Sequence, residues 1–494
     1  MASQIFDAVC ISLTDEIQAY WASDAPVEHR KKRLGSKTAD KLLRSVERLV
    51  RDSVAVSYRR AKSGYASINL NSNAYTEGRY QRGLSYRVHI ERAYRGLLVL
   101  GYLRQTQNGA SNGTVGRYLT RYEATKKLTD LFGDKDLETL AVLMPAPALD
   151  EPIIVQVSKT ISRPGKKPIR VREKLDYEDT PETISMRTNV ERLNDILRRH
   201  WIDLELTTYE LQNMCDEMKG KQQADDTGHD SNLDLSNRYL YRVFNDLGFK
   251  RGGRFYGPWW QMIPKRYRER ILIDGKKTVE LDYSGLHPAI LYVERGLTPP
   301  TDPYADILEC PVDSEDVRKE YRDVVKRAFN AMLNASKPLS RAPSGLKLKN
   351  YGTTWQALSE AILEAHPAIA DTFYSDCGAR LQRIDSDLAE GVMLHFAAYS
   401  TTRPPVLPIH DSFIMHHAYE KELEDVMNAL FRKRFNTTCN IDIKDKKHVK
   451  IPLDAHIPTS LAATKPMSWI TLSDIMHGQD LRYEAALAAF RSNK

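Results

Sequence analysis

The chain contains 494 residues, of which 41% are hydrophobic and 28% charged, an ordinary composition that allows two or three domains. It has no run of eighteen apolar residues, and its start lacks a basic segment followed by an apolar one, so we expect neither a transmembrane helix nor a signal peptide. The five cysteines are scattered without a CxxC pair. That pattern argues against a disulfide framework or a zinc finger and predicts a cytoplasmic protein.

The net charge of +7 is concentrated in the first part of the chain. Residues 1–145 contain 23 Lys and Arg against 15 Asp and Glu, a net +8, which leaves about −1 for the remainder. A basic segment next to a neutral one indicates contact with a polyanion, although a basic face can also be merely solvated.

Two helical patterns and one hairpin pattern occupy this basic segment. Apolar residues recur at helical spacing over residues 37–60 and 85–103. Residues 104–122 contain two Asn-Gly pairs between strand-like runs, which is typical of a β-hairpin. Helices followed by a hairpin with basic flanks resemble a winged helix, so residues 1–145 are predicted to form a mainly helical domain that binds nucleic acid. A protein-binding winged helix is the alternative.

A linker, a hairpin and a helix are predicted next. The sequence LMPAPALDEP at residues 143–152 is typical of a linker. The following residues, to position 175, alternate about a Pro-Gly turn and predict a β-hairpin, and residues 184–220 have a helical pattern. Residues 219–237 are polar and are predicted to form a mobile loop.

The sequence TVELDYSGLHP predicts a buried strand that ends on Asp282 and gives way to a helix. A carboxylate at that point can be a helix N-cap, or it can be a metal ligand on a rigid strand end. Further along, PPVLPIHDSF predicts a second strand that turns at His410 and Asp411. Two such aspartates on neighbouring strands could hold two divalent cations about 4 Å apart. Oxygen ligands favour Mg²⁺ over zinc, with Mn²⁺ as an alternative.

A cationic helix is predicted between the two aspartates. Residues 314–335 begin with a Ser cap and acidic residues, as helices do. Arg318, Arg322 and Lys326 recur every four residues and therefore share one face. A row of fixed cations suits a triphosphate, although a solvated amphipathic helix gives the same pattern.

In this order, the segments resemble the motifs of family A DNA polymerases and the related phage-type single-subunit RNA polymerases. The matching segments are GGRFYGPWWQMIPKRYRERI at 252–271, LDYSGLHP, the helix at 314–335, RLQRIDSDLAEGVMLHFA at 380–397, and IHDSF. The resemblance implies an α+β right-hand polymerase with palm, fingers and thumb. It implies a thumb-like region over residues 146–240, palm and fingers over 241–460, and a helical tail over 461–494.

The resemblance also assigns site residues. Metal binding falls to Asp282, Asp411 and the backbone carbonyl of Tyr283, and catalysis to Asp282, Asp411 and Lys326. Nucleotide binding falls to Arg322, Lys326, His287, Asn330, Asn334 and Tyr283. Template and primer binding fall to Arg254, Gln261, His410 and Gln382.

The departures from the family leave the choice of sugar open. His287 stands where the DNA polymerases have a glutamate that excludes the ribose 2′-hydroxyl, and Asn334 stands where both groups usually have a tyrosine. Ser412 replaces the glutamate that follows the motif C aspartate in DNA polymerases. No acidic cluster of the proofreading type is present.

The sequence therefore predicts a DNA-directed DNA polymerase that acts on a DNA template, a primer strand and nucleoside triphosphates, with two Mg²⁺ ions and no membrane. An RNA polymerase or primase is the first alternative. A non-catalytic replication initiator built on an inactivated palm is the second.

Overall fold

The computed structural model describes residues 2–58, 66–72, 79–81, 85–112, 115–132, 149, 151–163, 166–207, 209–210, 213–214, 216–218, 235, 237–312, 314–400 and 403–443. The chain is a mixed α+β protein. Within the described part, no helix is long and apolar enough to cross a bilayer. The predicted tail at 461–494 and most of the polar loop at 219–237 lie outside the described residues.

A first unit is built around its own hydrophobic core, which runs from Phe6 to Phe132. Its helices are α1 (Ala2–Ala19), α2 (Ser36–Tyr58), α3 (Glu91–Val99) and α4 (Lys126–Asp130). Its strands are β1 (Ala66–Ile68), β2 (Leu103–Gln107), β3 (Ala110–Asn112), β4 (Val115–Tyr118) and β5 (Thr120–Ala124). The antiparallel sheet has the order β1–β5–β2, and β3 pairs with β4. Helices followed by paired strands occur where the sequence predicts them, and the winged-helix comparison stays a prediction.

A second core extends from Ile153 to Cys439. Its helices are α5 (Pro181–Arg199), α6 (Leu286–Val293), α7 (Glu315–Asn334), α8 (Trp355–Ala365), α9 (Gly378–Ala397) and α10 (Glu420–Phe435). Because this core is continuous, the segments predicted as thumb-like and as palm and fingers pack together as one body.

Two sheets organise this second unit. The first has the order β10–β9–β6–β7 and consists of β6 (Ile153–Arg163), β7 (Lys166–Lys174), β9 (Tyr241–Phe244) and β10 (Gly252–Tyr256). The second has the order β13–β14–β12–β11–β8, with β15 paired to β12. Its strands are β8 (Ile202–Leu204), β11 (Ile271–Ile273), β12 (Lys276–Tyr283), β13 (Leu407–Ile409), β14 (Ser412–His416) and β15 (Ile441–Ile443).

The predicted helix over residues 184–220 is too long. The helix α5 ends at Arg199, because His200 has an extended backbone, and the next residues form strand β8. This strand pairs with β11, so a long-range ladder replaces the local helical pattern.

A buried ion-pair network joins the two units at the end of the predicted linker. Glu151 is only 4% exposed, and its carboxylate accepts a hydrogen bond from Arg79 at 3.0 Å and from Arg187 of α5 at 3.1 Å. Both arginines also contact Asp179, at 2.8 and 2.7 Å. Arg79 comes from the first unit, so this network fixes how the chain enters the second one.

We predict that Glu151→Gln lowers the free energy of unfolding by about 3–5 kcal/mol, because it leaves two arginines without their buried counter-charge. Urea denaturation followed by circular dichroism measures this loss. The matched control is Asp130→Asn, which removes an exposed pair with Lys126 and should cost no more than about 0.5 kcal/mol. Equal losses in the two variants would contradict a structural role for the network.

Candidate active site

The two predicted metal ligands lie at the same end of the second sheet. Asp282 is the Cα partner of Ser412 across β12 and β14, and the amide of Tyr283 donates a hydrogen bond to the carbonyl of Asp411 at 3.2 Å. Asp411 therefore sits at the turn immediately beside the end of β12. Neighbouring strands bring together two residues that are far apart in the sequence.

Alternation along β12 separates the site from the core. Leu281 and Tyr283 are buried, whereas Asp282 is half-buried on the opposite face. The Tyr283 hydroxyl donates to the carbonyl of Met427 in α10 at 2.7 Å, and burial raises the pKa of this hydroxyl. The side chain of Tyr283 is therefore a structural anchor, and the predicted metal contact concerns its backbone carbonyl alone.

The turn that carries Asp411 is strained. Strands β13 and β14 are joined by two residues, and the first of them, His410, has a φ of +60°. A non-glycine residue in this region costs on the order of 1–3 kcal/mol. Its ring lies 5.6 Å from the ring of Tyr256, and its Nδ1 is buried without a hydrogen-bond partner. Burial, together with the charge of Arg254, lowers the pKa of His410, so the ring is neutral at pH 7.

The carboxylate of Asp411 makes no hydrogen bond or ion pair with any described residue, although the residue is half-buried. Glu280, two positions before Asp282, is different. It accepts a hydrogen bond from the Ser412 hydroxyl at 2.6 Å and lies 3.8 Å from Arg268. The negative charge at the turn is thus left available to a ligand, while that of Glu280 is neutralised within the protein.

A third carboxylate lies next to the pair. Asp442 of β15 is the Cα partner of Asp282 on the side away from Ser412, and it is exposed. The thiol of Cys439 is close to all three aspartates. Burial, followed by the charges of Asp442, Asp282 and Asp411, raises the pKa of this thiol to about 12.

The donor set fits magnesium in part. Among the described residues, no group of three or more His, Cys, Asp or Glu side chains could hold a metal ion. A magnesium site built from two carboxylates, with water and substrate phosphates as the other ligands, does not need such a group. Asp282 and Asp411 would hold the ions, and the lack of a protein partner for the Asp411 carboxylate agrees with that use.

Two cations of α7 contact the ring of a buried tyrosine. Tyr304 is 3% exposed, and its ring lies 5.2 Å from the guanidinium carbon of Arg322 and 5.8 Å from the amine of Lys326. Burial raises the pKa of Tyr304, and the charges of Asp411 and Asp282 raise it further. Tyr304 is therefore close both to the cations of α7 and to the aspartates of the sheet.

The two predicted phosphate-binding cations differ in how they are held. The Nε of Arg322 donates to Asp302 at 2.5 Å, which fixes the guanidinium against Tyr304. The exposed amine of Lys326 makes no ion pair with a described residue. Lys326 can therefore reach an anion without first breaking an ion pair with a described residue.

A buried carboxylate links two of the other predicted residues. Asp385 of α9 is 1% exposed and pairs with Arg254, whose Nε donates to it at 2.9 Å. The Nε2 of His287 lies 3.0 Å from the same carboxylate. Burial alone would raise the pKa of Asp385, but hydrogen bonds and charge from His287 and Arg254 outweigh it and hold the pKa below its usual range.

The other predicted site residues either donate hydrogen bonds to backbone carbonyls or make no hydrogen bond to a described residue. The side-chain amide of Gln261 donates to the carbonyl of Pro408 at 2.9 Å, which ties its segment to the β13–β14 hairpin. Asn334 donates to the carbonyl of Asn330 at 2.7 Å, at the end of α7. Gln382 is half-buried on α9 and makes no hydrogen bond to a described residue.

Three site residues escaped the sequence analysis: Tyr304, Asp385 and Asp442. A signal existed for Asp385, because an acid lies on the apolar stripe formed by Leu381, Ile384 and Leu388. Tyr304 lies in an irregular loop and Asp442 in a three-residue strand, and neither context gives a periodic signal.

Comparisons with known proteins add little. No protein-family model and no curated protein match the chain. Among solved structures, the chain is similar to the POL domain of Pol1 from M. smegmatis in complex with DNA primer-template and dNTP, with a TM-score of 0.29 and 10% identity. The match covers 88% of this chain, and the chain spans 65% of the length of that structure. We therefore infer function from the geometry of the site.

We predict that Asp385→Asn destabilises the protein by about 3–5 kcal/mol at pH 7, because it leaves Arg254 without its buried partner. The pKa of Asp385 is depressed in the folded state, so its contribution is present above the unfolded value of about 3.9 and is lost as pH falls through the folded value. The difference between wild type and variant should therefore shrink in acid. Urea denaturation at pH 7 and near pH 3 measures it.

The control for this test is Asp371→Asn. Asp371 is 78% exposed and pairs with Arg295 on the surface, so its replacement should change stability little at either pH. A difference for Asp385→Asn that is independent of pH would contradict the ionic account.

Proposed function

We propose that the chain is a template-directed nucleotidyltransferase, and specifically a DNA-directed DNA polymerase without a proofreading exonuclease. One observation carries the proposal. Two aspartates from distant parts of the sequence meet at one sheet end, and the carboxylate of Asp411 makes no hydrogen bond or ion pair with a described residue. The ring of the buried Tyr304 lies 5.2 and 5.8 Å from Arg322 and Lys326 of α7, and the charges of Asp411 and Asp282 act on its hydroxyl.

The reaction would join a primer 3′-hydroxyl to the α-phosphorus of a nucleoside triphosphate. The new bond forms between the hydroxyl oxygen and phosphorus, the bond to the leaving pyrophosphate breaks, and the hydroxyl proton is released. Two magnesium ions, when bound, would favour the ionised hydroxyl and neutralise charge on the pyrophosphate. Asp282 and Asp411 would position them, with Mn²⁺ as a possible substitute.

The cations of α7 would hold the triphosphate. Lys326 is exposed and unpaired, and an ammonium on phosphate is a charge-assisted contact worth roughly 1.5–3 kcal/mol. Arg322 is fixed by Asp302, so it would present a guanidinium at small entropic cost. The ring of Tyr304 would stabilise both cations through cation–π contacts.

Template and primer would contact residues around the turn that carries Asp411, and not the cations of α7. The Nδ1 of His410 is buried without a partner, at the turn that carries Asp411. Arg254 is held by Asp385, and Gln261 holds the hairpin of His410 through the carbonyl of Pro408. We infer that Arg254 and His410 contact the nucleic acid strands, whereas Gln261 acts by positioning the turn.

His287 would select the sugar. Its Nε2 lies against Asp385, and its Nδ1 makes no hydrogen bond to a described residue. An imidazole held in this way can exclude a 2′-hydroxyl by its bulk, which favours deoxynucleotides. The unpaired Nδ1 can instead bond to that hydroxyl, and this observation supports an RNA polymerase as the second candidate.

We predict that Asp411→Asn reduces nucleotide incorporation to background while DNA affinity changes less than about twofold, because the metals serve the chemistry and not the duplex. Primer extension and fluorescence anisotropy on the same preparation measure the two effects. The control is Asp425→Asn, a change to an exposed residue of α10 that contacts Lys421. Full activity in Asp411→Asn would eliminate the proposed site.

We predict that wild-type protein prefers deoxynucleotides and that His287→Ala lowers this preference about tenfold, by removing roughly 1.4 kcal/mol of steric discrimination. Extension with dNTPs and with NTPs, on primed and unprimed templates, measures the ratio. A wild-type preference for NTPs that disappears in His287→Ala would instead identify His287 as a ribose-binding residue in an RNA polymerase.

A further inference from the structure

One face of the β10–β9–β6–β7 sheet leads away from the candidate active site. In the ladder, Tyr256 pairs with Tyr241, and Ile154 pairs with Val243. Since side chains alternate along a strand, these four residues share a face. The opposite face carries Arg242, Phe244 and Phe255, which are all buried. The first face is half-exposed at Tyr241, Val243 and Tyr256.

This face continues onto a projecting ribbon formed by β6 and β7. Only Ile153–Val155 of β6 pair with β9, although β6 runs to Arg163. The remaining eight residues extend about 27 Å beyond the sheet. The sequence from 156 to 174 contains seven Lys and Arg against one Glu, so the ribbon is strongly cationic.

The cations of the ribbon differ from one face to the other. Arg172 pairs with Ser158, whose side chain follows Ile154 and Gln156 on the same face as the tyrosines. Lys159 and Glu173 lie on the opposite face, and their side chains form an ion pair of 3.6 Å. Arg172 is exposed and makes no ion pair with a described residue.

A row of aromatic rings connects the ribbon to the catalytic turn. We use the name tyrosine face for Tyr239, Tyr241 and Tyr256. The ring centroids of Tyr239 and Tyr241 are 6.3 Å apart, and those of Tyr241 and Tyr256 are 6.2 Å apart. The ring of Tyr256 in turn lies 5.6 Å from the ring of His410. The hydroxyls of Tyr241 and Tyr256 make no hydrogen bond to a described residue.

Arg172 of the ribbon lies within electrostatic range of two rings of this row. Arg172 pairs with β6 six residues beyond the level of Tyr241, yet its charge acts to lower the pKa of both Tyr241 and Tyr256 against the larger effect of their burial. Such an effect requires that the guanidinium and the two rings lie near one another, and the strong twist of two-stranded ribbons can reorient the side chains along their length. A cation without an acidic partner among the described residues thus lies within electrostatic range of two half-exposed aromatic rings.

We propose that the tyrosine face and Arg172 bind a single-stranded segment of nucleic acid next to the catalytic turn. Aromatic rings beside cations form a stacking platform for unpaired bases with neutralisation of their phosphates. A duplex fits less well, because its bases are already stacked on one another and would leave the rings unused. The inference rests on the proposed function only in taking this segment to be the unpaired part of the template.

Binding of the full-length chain to a labelled single strand of about 16 nucleotides and to the matching duplex tests the proposal by fluorescence anisotropy. The assay contains EDTA and no nucleotide, so it is independent of catalysis. Arg172→Ala should weaken single-strand binding about fivefold and reduce the salt slope by about 0.7. Tyr241→Ala should weaken it about tenfold. Neither change should alter duplex binding by more than about twofold.

Two matched controls make the outcome decisive. Lys159→Ala removes the same charge from the opposite face of the ribbon, and Tyr241→Phe keeps the ring without its hydroxyl. Both should bind the single strand within about twofold of wild type. Equal losses for Arg172→Ala and Lys159→Ala would overturn the proposal, as would equal losses for the two Tyr241 variants. A loss of duplex affinity as large as that for the single strand would also overturn it.

Failure of the tyrosine face to bind a single strand can be distinguished from failure of the proposed polymerase activity. Primer extension by wild-type protein tests the chemistry alone, and it can succeed whether or not the tyrosine face binds a strand. Conversely, a chain without polymerase activity could still show the expected pattern of single-strand affinities.

Discussion

The arrangement of the site depends on the buried carboxylate of Asp385. It lies on α9 and receives both Arg254 of β10 and His287 of α6, so one group fixes three segments that are distant in the sequence. A carboxylate that is 1% exposed would be costly without such partners, and each partner would be mobile without the carboxylate. The buried charge fixes the positions of both side chains, and Arg254 lies close enough to Asp411 for their charges to interact.

Around this fixed point, the site keeps opposite charges apart. The aspartates lie at the end of a sheet, whereas Lys326 lies on a helix, with its amine 5.8 Å from the ring of Tyr304. If the Lys326 amine paired directly with the aspartates, the charges would neutralise each other and none would be available to bind a ligand. The neutral, buried side chain of Tyr304 lies near both groups, at the cost of one buried hydroxyl. A metal–triphosphate complex can bridge the Asp411 carboxylate and the Lys326 amine, neither of which forms an ion pair with a described residue.

Sequence reasoning located the local features well and the long-range ones poorly. Strand ends at Asp282 and Asp411 and the helix of Lys326 follow from apolar periodicity and turn residues, and the structure has these elements where the patterns predict them. The overlong helix over 184–220 arose because β8 is defined by its pairing with β11, which no local pattern records. The partner of His287 also escaped, since 98 residues separate it from Asp385. Ion pairs across such distances are properties of the packed fold.

The continuity of the second core limits how the molecule can move. Side chains from α5, from the β12–β14 sheet, from α7 and from α9 all belong to one hydrophobic cluster. A hinge requires a boundary that few contacts cross, and no such boundary lies between these elements in the described part of the chain. Closure around a ligand would therefore take place by small sliding displacements of packed helices. A rigid interior of this kind favours a binding geometry that is prepared in advance.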